Sequence, residues 1–136
     1  MSLDIQQRER EGITILDLNG RITVGPEAAA LREKVAELIA AKAWNLVLDL
    51  AGADYIDSTG LGALVMCATS LRKSGGNVKL LHLNRRNIEL LVMTKLATVF
   101  EIFIDEQDAV NSYYPDREIK AFDILDFVQQ MKAKKE

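Results

Sequence analysis

The run Asn45-Leu46-Val47-Leu48-Asp49-Leu50 leaves almost no polar face for a strand to turn toward water. Side chains alternate between the two faces of a strand, so a run this apolar suits a central strand covered on both sides. Helical periodicity flanks it. From Pro26 to Lys42, Ala28, Leu31, Val35, Leu38 and Ile39 fall on one stripe; over residues 61–73, Leu61, Leu64, Val65, Ala68 and Leu71 form another. A buried strand between two amphipathic helices implies a largely parallel sheet with right-handed crossovers.

The rest of the chain extends that pattern. Residues 3–9 and 12–19 read as two strands joined by a turn near Glu11-Gly12. In the second, Ile13, Ile15 and Asp17 share one face, and Leu16 and Leu18 the other. Pro26 suits a first helical turn, and Ser74-Gly75-Gly76-Asn77 stops the helix over 61–73 because glycine readily takes the left-handed conformation at a C-terminal cap. Strands follow at 78–83 and 100–104, a helix at 85–95, and a short helix begins at Asp105 or Asp108. The expected order is β-β-α-β-α-β-α-β-α: an α/β fold with a mixed, mostly parallel sheet of four or five strands flanked by helices. After Pro115 a further helix is expected over 116–133, carrying Ile119, Phe122, Ile124, Leu125, Val128 and Met131. The division is thus one domain over 1–115 and a C-terminal helical extension over 116–136.

Several function classes are disfavoured. With 136 residues and a formal charge of −3, the chain fits one domain and lacks the basic excess of an electrostatic nucleic-acid binder. No apolar run is long enough to span a bilayer, and the N-terminus lacks a signal-peptide pattern, so a cytoplasmic protein without membrane insertion is expected. Cys67 is alone, which leaves no cysteine-based metal set, and no cofactor is expected. His82 is the only histidine and lies in a strand-like apolar run, a structural setting. There is no Gly-x-Ser-x-Gly, no P-loop and no dinucleotide fingerprint, since Gly60-Leu61-Gly62 is not followed by glycine at Val65. The inventory points away from an enzyme.

The informative segment is Asp54-Tyr55-Ile56-Asp57-Ser58-Thr59-Gly60-Leu61-Gly62, between the buried strand and the next helix. Open α/β folds place working groups at the carboxyl ends of their strands. Ser58 stands where a helix N-cap would stand, its hydroxyl able to accept a backbone N–H of the first turn. A phosphate there would add about −1.5 to −2 charge, which the helix N-terminus tolerates and a docked partner would not. Asp54 and Asp57 leave that charge without local neutralisation. Ser58, Gly62, Met66 and either Thr69 or Ser70 recur at helical spacing, offset from the core stripe, and suggest a docking face.

The stretch Leu46 to Leu83, with its strand, Asp57-Ser58-Thr59-Gly60-Leu61-Gly62, helix and Gly75-Gly76 stop, closely resembles the STAS domain, and in particular the bacterial anti-sigma-factor antagonists. A looser likeness runs through Leu18-Asn19-Gly20-Arg21-Ile22 and Ala97-Thr98-Val99-Phe100-Glu101-Ile102. The resemblance implies partner switching. An anti-sigma factor that is also a serine kinase phosphorylates the position matching Ser58, with Thr59 a minor alternative. The unphosphorylated antagonist sequesters that kinase and frees the sigma factor, and a phosphatase restores it. The implied partner-binding residues are Asp57, Ser58, Thr59, Gly60, Gly62 and Met66.

Two features depart from the family pattern. Where some phosphorylated members carry an acidic residue soon after the Gly-x-hydrophobic motif, this chain has Thr23, which bears on kinase recognition. The helix after Pro115 also runs past the usual end of the family, and exchange with a second subunit would make it a homodimer contact. The rival reading is a STAS scaffold of a sensory complex, or an accessory subunit of a membrane lipid transporter, without phospho-switching.

Overall fold

The computed structural model describes residues 3–120 and 122–135, with side chains as far as residue 130. Ten elements follow one another: β1 (Leu3–Arg10), β2 (Ile13–Ile22), α1 (Pro26–Ala40), β3 (Asn45–Ile56), α2 (Ser58–Lys73), β4 (Asn77–Leu81), α3 (Arg85–Met93), β5 (Glu101–Phe103), α4 (Glu106–Asn111) and α5 (Ile124–Lys135). The five strands lie side by side in chain order. β1 runs antiparallel to β2, and β2 through β5 are parallel.

That order dictates where the helices go. Each of α1, α2 and α3 crosses from one strand to its immediate neighbour, always in the same direction, so right-handed crossovers put all three on one face. The main core lies there. Leu16, Leu18, Leu46, Leu48 and Leu80 from the strands pack with Leu31 and Val35 of α1, Leu64, Ala68 and Leu71 of α2, and Ile88 and Leu91 of α3. The opposite face is covered only in part. Ile13, Ile15, Val47, Leu81 and Phe103 pack against Ala109 and Val110 of α4, with Tyr113 and Tyr114 beside them.

Local chemistry closes the elements as expected. Glu11 (φ 52°) and Gly12 (φ 85°) both take the positive φ of a type I′-like hairpin turn, whose twist suits paired strands. At the end of α2, Gly75 sits at φ 94°, the Gly76 N–H bonds to the Leu71 carbonyl at 2.8 Å and the Gly75 N–H to Arg72 at 3.1 Å. This is the paired arrangement of a Schellman stop.

Two boundaries differ most from expectation. β3 continues six residues past Leu50, to Ile56. Ala51-Gly52-Ala53-Asp54 lacks apolar alternation, but the backbone from Gly52 to Ile56 pairs with Asn19–Ile22 of β2 through register shifts. Gly52 leaves room there for the Asn19 side chain, whose oxygen a Cβ would meet at 1.9 Å. The helix expected over 116–133 begins only at Ile124. Ahead of it the Phe122 N–H bonds to the Ile102 carbonyl of β5 at 3.0 Å, so the backbone lies along the sheet edge, and Asp123 Oδ1 accepts the Asp126 N–H at 3.0 Å to start the helix. Met131 lies outside the residues whose side chains are described.

Candidate functional site

β3 delivers the chain to α2 with little freedom. Ile56 is buried, and the Asp57 N–H donates to the Ile22 carbonyl at the end of β2 (3.3 Å). Asp57 is extended (φ −92°, ψ −178°) and caps the helix: Oδ1 accepts the Gly60 N–H at 2.7 Å and Oδ2 the Val24 N–H at 3.0 Å. One carboxylate thus satisfies an orphan amide of α2 and ties down the loop that leads into α1. These bonds, first Gly60 and then Val24, hold its pKa below the usual carboxylate value, with Arg21 adding a smaller attraction.

The expectation that Ser58 caps the helix is therefore corrected by one residue. Aspartate at the N-cap accepts more strongly from the positive helix end than a neutral hydroxyl does. Ser58 becomes the first helical residue, exposed, and its hydroxyl makes no hydrogen bond among the described residues. Thr59 beside it is exposed too.

The glycines of the motif do opposite things. Gly60 faces inward, so close to β2 that a Cβ would sit 1.8 Å from the Ile22 carbonyl oxygen. Gly62 faces outward, and a Cβ there would meet nothing within 4 Å. Met66, one turn on, is 53% exposed, and Thr69 and Ser70 are exposed as well. Ser58, Thr59, Gly62 and Met66 thus share an open face; Asp57 is half-buried and engaged, and Gly60 is buried. The described C-terminal side chains do not cover that face: Phe122, Ile124 and Phe127 pack at the β5 side of the core, with Phe127 under the Arg85 guanidinium.

His82 bonds through Nδ1 to Asp49 at 3.0 Å, on the partly covered sheet face, and not to Ser58. Among the described residues no cluster of histidine, cysteine and carboxylates is arranged to hold a metal ion, and no helix is long and apolar enough to cross a membrane. Cys67 is buried, which pushes its thiol up to about 11.

Sequence reasoning missed two groups. Arg8 pairs with Asp17 (2.8 Å), Glu106 (2.5 Å) and Asp49 (3.4 Å), and Arg10 with Glu106 (2.6 Å), stitching β1 to β2, β3 and α4. The second group, Arg21 and Arg86 against the Tyr55 ring, joins three elements far apart in sequence, which no local pattern signals.

Fold and site define a class: an α/β domain of four parallel strands with an antiparallel edge strand, presenting a bare serine on the first turn of its second crossover helix. The STAS domain profile matches residues 4–109. The chain belongs to the STAS domain family. It is 32% identical over 110 residues to the anti-sigma-B factor antagonist of Bacillus subtilis, covering 81% of this chain and 99% of that one. It is similar in fold to a putative anti-sigma factor antagonist from Thermotoga maritima (TM-score 0.74, 23% identity, 79% of this chain and 92% of that one). The Bacillus cell fate determinant SpoIIAA in its phosphorylated form is similar too (TM-score 0.63, 16% identity, 81% and 99%).

Proposed function

We propose that this chain is an anti-sigma-factor antagonist that works by partner switching. Unmodified, it binds a kinase-type anti-sigma factor in the cytoplasm and so releases the sigma factor; phosphorylation at Ser58 ends the complex, and a phosphatase restores it. The observation that carries the reading is the division of labour between Asp57 and Ser58. Because Asp57 caps the helix, the Ser58 hydroxyl stands exposed and unbonded, and modifying it breaks no contact of the fold.

The physics of the switch follows. A phosphoserine carries about −1.5 to −2 charge, and at the first helical position it lies among the free amides of the helix N-terminus. The domain keeps its structure, while a partner seated over Ser58 meets a dianion it must desolvate. Such a buried, uncompensated charge costs several kcal/mol, and each 1.4 kcal/mol is about tenfold in affinity. Base and ATP site belong to the kinase, so the chain itself needs no catalytic group. The names borne by the relatives, and the phosphorylated state in which SpoIIAA is described, support this reading.

The test is incubation of the full chain with ATP and a kinase-type anti-sigma factor from the same organism, followed by intact-mass measurement and phosphopeptide mapping. The wild type should gain one phosphate, on Ser58, and Ser58→Ala none. Undiminished transfer to Ser58→Ala would move the switch to Thr59 or elsewhere, and no transfer to the wild type would end the proposal.

A further inference from the structure

The eight described arginines, on or beside the sheet and its helices, have contrasting fates. Arg8, Arg10, Arg85 and Arg117 each close on a carboxylate. Arg21 at the end of β2 and Arg86 in the first turn of α3 do not. Neither makes an ion pair or hydrogen bond among the described residues; each instead lies against the ring of Tyr55, Arg21 at 5.3 Å from its centroid and Arg86 at 4.8 Å. The ring stands near the end of β3, opposite Arg21 in the strand register and three residues before Ser58. Contact with the ring holds both guanidiniums in place while leaving their N–H groups unused. Asp54, the preceding residue, is exposed and pairs with neither.

The surroundings narrow what such a pair receives. Tyr55, Arg86, Asn87, Leu90 and Met93 line an open recess together with Glu89, whose carboxylate is paired with Arg85, and Met93 is 76% exposed. Tyrosine, arginine and methionine around an open recess of mixed polarity resemble the composition of a protein-binding hot spot rather than of an enclosed small-molecule site. The chain as a whole carries −3, so two guanidiniums on one ring, neither closed on a carboxylate although Asp57 attracts Arg21 at longer range, form a local exception to its field. A guanidinium fork matches a carboxylate in two parallel hydrogen bonds.

We infer that the Arg21–Tyr55–Arg86 stack is a second docking point for the protein partner that covers Ser58, receiving a carboxylate-bearing segment of that partner. The inference rests on the reading of Ser58 given above. Asp57 and the stack share one rim of the sheet, joined by the Asp57–Ile22 backbone bond next to Arg21. The stack supplies attraction that does not depend on phosphorylation, and Ser58 supplies the switch.

The test is a titration of the full chain with the same anti-sigma factor at low and at physiological salt, comparing wild type, Ser58→Asp and the pair Arg21→Gln/Arg86→Gln, with thermal unfolding as a check on folding. The arginine pair should weaken binding at least about tenfold at low salt and flatten its salt dependence, with an unchanged Tm. If the wild type binds, Ser58→Asp does not, and the arginine pair binds like the wild type, the docking point falls and the switch stands. If the wild type does not bind the anti-sigma factor, both fall. Should the pair unfold, Arg86→Gln alone decides on the same criterion. Saturable binding of inorganic phosphate or ATP by the chain alone, lost in the arginine pair, would overturn the inference in favour of a small-anion site.

Discussion

Two charged regions of this molecule are built on opposite rules. Under β1, every charge of the cluster has a partner: Arg8 spans Asp17, Asp49 and Glu106, Arg10 shares Glu106, and Asp49 also holds His82. At the start of α2, Asp57 spends its carboxylate on backbone amides, Arg21 and Arg86 lean on an aromatic ring, and the Ser58 hydroxyl makes no hydrogen bond among the described residues. The first region fastens an edge strand and α4 to the sheet. The second is held by backbone hydrogen bonds and close packing, so its polar side chains remain unspent. Charges paired within the fold stabilise it; charges left over on a rigid frame are free to meet a partner.

The sharpest way to break this contrast is at the frame beneath Ser58. Gly60→Val places a side chain against the Ile22 carbonyl and should lower stability by roughly 3 kcal/mol or more, measured by urea unfolding, whereas the neighbouring Gly62→Ala should not.

Glu106→Gln removes the carboxylate shared by Arg8 and Arg10 and should lower stability by about 1–2 kcal/mol, the lower part of the range for charged hydrogen bonds because both arginines are more than a third exposed. The same variant has a pH signature. The Arg8 guanidinium bonds hold the Glu106 carboxyl down to about 2, against an ordinary 4.5. A carboxyl depressed in the folded state stabilises above its unfolded value and loses that contribution as pH falls toward its folded one. Stability should therefore decline between about pH 5 and 2 in the wild type, and less steeply in Glu106→Gln.

Asp57→Ala removes the cap and the bond to Val24; a Tm lower by a few degrees is expected by differential scanning calorimetry, with partner binding weakened as the α2 entrance loosens. The smallest effect belongs to Gly62→Ala, within about 1 kcal/mol of neutral and on the stabilising side, from helix propensity alone. If it nevertheless weakens partner binding, the open face of α2 is part of the interface.

Much of the architecture was legible because it rests on local rules. The apolar run Leu46–Leu50 suits a covered strand, the stripe through Leu61, Leu64 and Leu71 suits a core-facing helix side, and Gly75 suits a helix stop. What escaped is non-local. Asp57 and Ser58 are both good N-cap residues and adjacent, so composition alone could not say which accepts the Gly60 amide; the bond to Val24, thirty-three residues earlier, settles it. Residues 116–123 have the composition of a helix, but Phe122 bonds instead to the edge of β5. Arg21, Tyr55 and Arg86 meet only after β2, β3 and α3 have assembled. Of the site, the position of Ser58 was legible and its freedom was not, since that depends on Asp57 taking the cap.

The most direct test compares the affinity of the anti-sigma factor for the unmodified chain and for the same chain phosphorylated on Ser58, by isothermal titration calorimetry with circular dichroism on both forms. Matching spectra and binding at least about a hundredfold weaker after phosphorylation are the expected results. Equal affinity of the two forms would contradict the account, and so would a phosphorylated chain that has lost its fold.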